Sequence, residues 1–441
     1  MSAARRRVLV LFPDEWDLAA ASHPRIAARY ELRYEGFDLF RFPDNLRLFT
    51  FDALAFVERV ARRYARAGID AVTSSDEQFG PFLVALVAQR LGLPHSPVEA
   101  VVRAQHKYHA RRAFQRIAPE ANARFGLLRR DFDSPRDVPL PFPFFVKPAK
   151  AAFSVLARRV DSFPELARHT RFRLLEGAII DRLVRPFADV MRAHTALAED
   201  PFSMVCEEIA RGAQVTVNGY ARRGEVTMLG TVDSVMYPGT DHFRRFQYPS
   251  SLPPAQLERV EALAARLVRG LGLDHGMFNV EMRIDPVTGA PRVIEINPRV
   301  AGQFYDLFER VDGYNLFEAL LELECGDAPA IRHREGSDRV AASFVLRDFA
   351  GAGLSRWPSS AAIAALRARH PGSHLMVYPK RGPDLAREMK WLGSYRYAVF
   401  NSGAASLEQL LARFDALCAD IDFHPSGRLL PGEPSPALLG D

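Results

Sequence analysis

The segment "MFNVEMRIDPVTGAPRVIEINPR", Met277 to Arg299, constrains the fold more than any other part of the chain. It reads as a β-hairpin. Strict alternation puts Phe278, Val280, Met282 and Ile284 on one face, and Asn279, Glu281 and Arg283 on the other. On the return strand, Val293, Glu295 and Asn297 share a face. The turn residues "DPVTG" centre near Val287 and Thr288. Symmetry about Thr288 places Glu281 directly opposite Glu295. Like charges in cross-strand register destabilise a sheet, and a divalent cation between them removes that cost. Asn297 adds a neutral oxygen on the same side. Carboxylate and amide oxygens suit Mg²⁺, which shares its shell with substrate phosphates. A hairpin edge with solvated charges is the plain alternative. Against it stands the Asn-Pro-Arg that follows: Pro298 ends the strand, so Arg299 leaves the sheet beside the carboxylates. There it can face an anionic substrate.

The rest of the chain sets the frame for this hairpin. At 441 residues it is too long for one core, and about two to four domains are expected. Its 48% hydrophobic and 25% charged residues are ordinary for a globular protein. No apolar run approaches the roughly 20 residues of a membrane span. The start "MSAARRRVLVLF" is too short in apolar residues for a signal peptide and reads as a first buried strand. Cys206, Cys325 and Cys418 form neither a metal pattern nor a disulfide framework, which suits a reducing cytoplasm. The net charge of +5 raises the question of nucleic acid, but the arginines lie on helix faces. No aromatic–basic motif accompanies them, so no nucleic-acid partner is expected.

Residues 1 to about 100 alternate strands and helices in a βαβ rhythm, which implies an open parallel sheet. "IDAVTSSDE" is a strand ending in a polar loop, and "FGPFLVALVAQRLGL" a helix closed by Gly92. Residues 101 to 125 look helical. "FFVKPAK" is a short strand, two helices span 163 to 197, and 203 to 236 is rich in strands. "PPAQLERVEALAARLVRGLGL" carries apolar residues at helical spacing. "TVDSVMYPGTDHFRRFQYPSSLP", with Tyr237, His242, Arg244, Arg245 and Tyr248, suits a loop closing over a polar substrate, or an ordinary exposed loop. Residues 340 to 423 form a last α+β unit, and the Pro/Gly-rich tail is expected to be flexible.

Lysine usage adds a further signal. Only five of the 58 basic residues are lysines: Lys107, Lys147, Lys150, Lys380 and Lys390. A lysine that persists in an arginine-biased chain can mark a need for a compact ammonium, and chance is the alternative. With "FFVKPAK", "SMVCEEIARGAQVTVNG" and "VIEINPR" in hand, residues 105 to 330 resemble the ATP-grasp superfamily. Its amino-acid ligases, which join carboxylates to amines, are the most similar branch. The resemblance implies a mixed α/β and α+β chain: an N-terminal open parallel α/β (pre-ATP-grasp) domain over 1–104, an ATP-grasp fold in two subdomains over 105–202 and 203–334, a C-terminal α+β unit over 335–425, and the tail 426–441. It implies that Lys107 and Lys147 reach nucleotide phosphates, with Lys150 and Ser154 in a phosphate loop that here lacks the usual glycines. Glu207, Glu208, Ile209 and Ala210 would present backbone groups to adenine. Gln214 stands where the family has an acid for the ribose. Glu281, Glu295 and Asn297 match the Mg²⁺ ligands, with Mn²⁺ a possible substitute.

The implied activity is that of an ADP-forming ligase. ATP activates a carboxylate as an acyl phosphate and an amine then attacks it. Arg299, Lys147 and Arg245 are the residues expected nearest the chemistry, and the partners are a small carboxylate and a small amine. Little acid–base work is needed at the first step, consistent with the lack of a Ser-His-Asp constellation. Neither membrane nor nucleic acid is involved, and a homodimer is an open assembly. Two alternatives stand beside this. One is a biotin-carboxylase-like enzyme that activates bicarbonate. The other is a nucleotide-binding regulatory protein without turnover, motivated by the missing glycines.

Overall fold

A computed structural model describes residues 4–425, apart from 40, 42, 153 and 154. The expected tail 426–441 lies outside the described residues. The first strands, β1 (Arg6–Leu11), β2 (Tyr30–Glu35) and β3 (Ala71–Thr73), pair in parallel in the order β2-β1-β3. Val8 to Leu11 are wholly buried, as a strand covered on both faces requires. Helix Gly80–Leu91 follows β3 and ends at Gly92, whose φ of +70° is the left-handed conformation that glycine tolerates best.

A four-stranded antiparallel sheet comprises β4 (Phe125–Leu128), β5 (Phe144–Pro148), β6 (Arg158–Val160) and β7 (Met204–Glu207), in the order β4-β7-β5-β6. A larger sheet holds β8 (Ala213–Arg222), β9 (Glu225–Met236), β10 (Phe243–Tyr248), β11 (Gly276–Ile284), β12 (Pro291–Asn297), β13 (Val340–Asp348), β14 (His374–Val377) and β15 (Tyr395–Ala404). Its order is β12-β11-β8-β9-β10-β13-β15-β14. Helix Pro254–Leu271 packs its stripe of Val260, Leu263, Leu267 and Leu271 into the main core. Among the described residues, no helix is long and apolar enough to cross a membrane.

Several expectations need correction. The sheets move the division at 202/203, because β7 completes the four-stranded sheet and the chain changes sheets only after Glu207. The unit from 335 onward is continuous with the preceding one, since β13 pairs with β10. The helical stretch 101–125 is broken: Val98–Gln105 and Lys107–Ile117 are separate helices, and β4 begins at Phe125. The break has a local cause. His106 is extended, and its Nδ1 accepts the His109 N–H at 3.4 Å, so it caps the second helix. Finally, about half of the expected loop around Arg245 is strand, its first residues in β9 and Phe243–Tyr248 in β10. Only Tyr237 to His242 form a turn, closed by the Tyr237 N–H on the His242 carbonyl at 2.8 Å.

Candidate active site

The hairpin β11–β12 pairs Glu281 with Glu295 and Asn279 with Asn297. The ladder is not symmetric throughout. Met282 pairs with Val293, and the register then slips by one residue at Ile294. This bulge separates Val293 from Glu295, which were expected to share a face. Val293 joins Met282 in the core, while Glu295 and Asn297 stand beside Glu281. Asn297 donates through Nδ2 to Asn279 Oδ1 at 3.0 Å, which leaves its own Oδ1 available to a cation.

The two carboxylates feel different fields. Burial, then Glu295 and Glu77, push the Glu281 carboxyl up to about 8. Burial would also raise Glu295, but the ammonium groups of Lys107 and Lys147 outweigh it and hold that carboxyl below its ordinary range. Two carboxylates in register, one of them destabilised as an anion, form a donor set that a divalent cation fits. Asn297 supplies a third oxygen.

Lys107, Lys147 and Lys150 line one cleft together with Glu295 and Asn297. Lys107 opens its helix. Its N–H donates to the Ala149 carbonyl and its Nζ to the Ala151 carbonyl at 2.7 Å, and Nζ lies 3.8 Å from Glu295. Lys147, at the end of β5, bonds Glu207 at 2.9 Å. Lys150 is buried over the rings of Phe187 and Phe82, and burial, reinforced by Lys107, lowers its ammonium to about 7. Three lysines thus meet the carboxylate hairpin in one cleft. Ser154 lies outside the described residues.

The expected adenine hinge is only partly free. Glu207 is paired through its backbone on both sides, with Phe125 and with Phe145. Its carboxylate is held between Arg111 and Lys147. Burial alone would raise that carboxyl, but these two cations bring it to about 2. The Glu208 N–H is taken by the Arg124 carbonyl at 2.8 Å. Ile209 and Ala210 belong to neither ladder and form the irregular link from β7 to β8. Gln214 does not turn its oxygen to open space: Oε1 accepts from Arg283 at 3.3 Å, and Nε2 donates to Glu281 at 2.9 Å.

Arg299 reaches the N-terminal sheet. Its Nη2 meets Glu77 at 2.7 Å, just beyond the carboxyl end of β3, while its buried Nε has no partner. The structure does not bring Arg245 to this group, and Glu208, Ile209 and Ala210 do not line the cleft either. Arg245 sits buried in β10, where burial, followed by Arg244, lowers its guanidinium. It does not line the cleft.

Sequence reasoning missed three residues. Arg111 is 2% exposed and donates five hydrogen bonds, to Glu207, Asn122 and the carbonyls of Val293 and Ile294. Nothing distinguishes it in a chain with so many arginines. Asn279 was visible on the face of Glu281, but without its partner. Glu77 lies in the polar loop after β3, and a ligand's usual place at the carboxyl ends of parallel strands was the available signal.

This geometry can be set against known proteins. Residues 140–306 match the model of the ATP-grasp domain. An 88-residue segment is 40% identical to carnosine synthase 1 of Gallus gallus, covering 20% of this chain and 9% of that protein. An 89-residue segment is 42% identical to carnosine synthase 1 of Homo sapiens, covering 20% and 10%. The chain therefore matches about a tenth of the length of these curated relatives. Among solved structures, the chain is similar to an L-amino acid ligase from Bacillus licheniformis, with a TM-score of 0.68 at 17% identity over 96% of this chain and 99% of that one. A carboxyaminoimidazole ribonucleotide synthase from Aspergillus clavatus, complexed with ATP, gives a TM-score of 0.65 at 14% identity over 95% and 98%. At such identities the likeness is one of fold.

Proposed function

We propose that this protein is an ADP-forming, ATP-dependent carboxylate–amine ligase that activates a carboxylate as an acyl phosphate, the carboxylate being that of an amino acid. The observation that carries this reading is the meeting of Lys107, Lys147 and Lys150 with Glu295 and Asn297 in one cleft, with Glu281 directly across the ladder. The relatives named above, an L-amino acid ligase and carnosine synthases, support the choice of amine chemistry.

Glu281, Glu295 and Asn297 fit Mg²⁺ and would hold it. When bound, Mg²⁺ and ATP supply the phosphoryl group and neutralise the charge that develops on it. Lys107 and Lys147 line the cleft, where their ammonium groups can clamp phosphate oxygens. Arg299 leaves the strand two residues after Asn297 and can orient the acceptor carboxylate through a charge-assisted fork. Its contact with Glu77 holds the guanidinium in place until substrate arrives. The carbonyls of Ala149 and Ala151 anchor Lys107 from the segment after β5, so both phosphate lysines are tied to one strand.

The test is to incubate the protein with Mg-ATP and pooled amino acids and amines, and to follow ADP, AMP and new masses. ADP with a condensed product supports the proposal. AMP would overturn the acyl-phosphate route. ADP release that requires bicarbonate and no amine would favour the carboxylating alternative.

A further inference from the structure

The metal carboxylate Glu281 is tied to a surface turn by a chain of side chains. Gln214 on β8 stands directly opposite Arg283 on β11, and Glu281 lies two residues along the same face. Gln214 Nε2 donates to Glu281 Oε2 at 2.9 Å. Arg283 Nε donates to Gln214 Oε1 at 3.3 Å, and its Nη2 meets Asp241 Oδ1 at 2.9 Å. Asp241 lies in the Tyr237–His242 turn between β9 and β10. The chemistry fixes the direction of every link. A guanidinium can only donate, so the amide must turn its oxygen to Arg283, which leaves its NH₂ facing Glu281.

We infer that Gln214 is a positioning residue for the metal site, and that Asp241, Arg283 and Gln214 form a relay that aims the Glu281 carboxylate. Gln214 holds Oε2 of Glu281 and leaves Oε1 for the cation. Arg283 prevents the amide from flipping, and Asp241 fixes Arg283 from the turn. The relay makes the set of Glu281 depend on the conformation of that turn. The inference rests on the metal reading proposed above.

The test measures Mn²⁺ binding to the full chain by the loss of the free-ion paramagnetic signal, with a non-hydrolysable ATP analogue present and no turnover. Gln214→Leu keeps the volume and removes the donor. It is expected to weaken Mn²⁺ binding about tenfold, the effect of losing a partner that orients a ligand. Arg283→Met and Asp241→Asn are expected to weaken it by smaller factors. Asp241 is 55% exposed at its side chain, so its variant does not threaten the fold. The double variant Gln214→Leu/Arg283→Met should bind no more weakly than Gln214→Leu alone, because one link is already broken. Unchanged Mn²⁺ affinity in folded Gln214→Leu would overturn the relay, and so would independent, multiplying effects in the double variant. Glu295→Ala separates the two levels. If that variant binds Mn²⁺ like the parent chain, the metal reading itself fails, and the relay with it.

Discussion

Glu281 stands directly opposite Glu295, and a single extra residue, Ile294, makes that pairing compatible with a buried Val293. Without the bulge, alternation would place Val293 and Glu295 on one face, either both in the core or both in the cleft. The bulge serves a second purpose. The carbonyls of Val293 and Ile294 accept from Arg111 at 2.8 and 3.0 Å, and that of Ile294 also from Lys147 at 3.4 Å. Strand β12, Lys147 and helix Lys107–Ile117 therefore share one joint.

Glu281→Gln should separate stability from function. It removes a like-charge pair, so the metal-free protein should gain on the order of 1 kcal/mol. ATP-dependent turnover should fall roughly 100-fold or more. Denaturant unfolding and an ADP-release assay on the same preparation check both halves.

Arg111→Met should be severely destabilising, by about 3–5 kcal/mol, because it leaves the buried Glu207 with one cation in place of two. Arg111→Lys should not rescue it. A single ammonium cannot reach the two Glu207 oxygens, Asn122 and two carbonyls in the planar fork that the guanidinium provides. Urea midpoints of the two variants decide this.

Lys107→Met should behave differently, since its main partners are one carbonyl and a carboxylate 3.8 Å away. Binding of an ATP analogue is expected to weaken about 10- to 100-fold. The unfolding midpoint should move little. Calorimetric titration against the analogue gives the first quantity, and a thermal melt the second.

The fold was largely legible because its signals are periodic. Alternation gave β11, helical spacing gave Pro254–Leu271, and Gly92 gave the end of its helix. The Glu281–Glu295 pairing was also legible, but its reason was not. A bulge leaves no mark in a pattern of period two, and Val293 was assigned to the wrong face as a result. Arg111 and Glu77 act through contacts between segments far apart in the chain, which no local pattern reveals. Arg245 shows the converse: a polar-looking segment became a buried strand once β13 paired with β10. His106 broke a helix that propensity would have continued, because its ring competes for the His109 N–H.

Glu324 offers a test of pH dependence away from the cleft. It is 7% exposed, and burial raises its carboxyl from an ordinary 4.5 to about 8. The neighbouring His275 ring, at 3.6 Å, is itself lowered by burial and offers it little charge. Between these pH values the folded chain keeps a proton that the unfolded chain sheds. This group's contribution is therefore complete below the unfolded value and is lost as pH rises to about 8. The slope approaches about 1.4 kcal/mol per pH unit. Glu324→Gln should flatten that part of the stability profile and be the more stable protein at the alkaline end. Unfolding midpoints across the acid-to-alkaline range check it.

The most direct measurement uses the carboxylate that supports turnover, labelled with heavy oxygen at its carboxyl group. If the site forms an acyl phosphate, one labelled oxygen must pass to inorganic phosphate when the amine attacks, and the nucleotide product is unlabelled ADP. Mass spectrometry of the phosphate is predicted to show the label in step with amide formation. Unlabelled phosphate, or label carried into AMP, would contradict it.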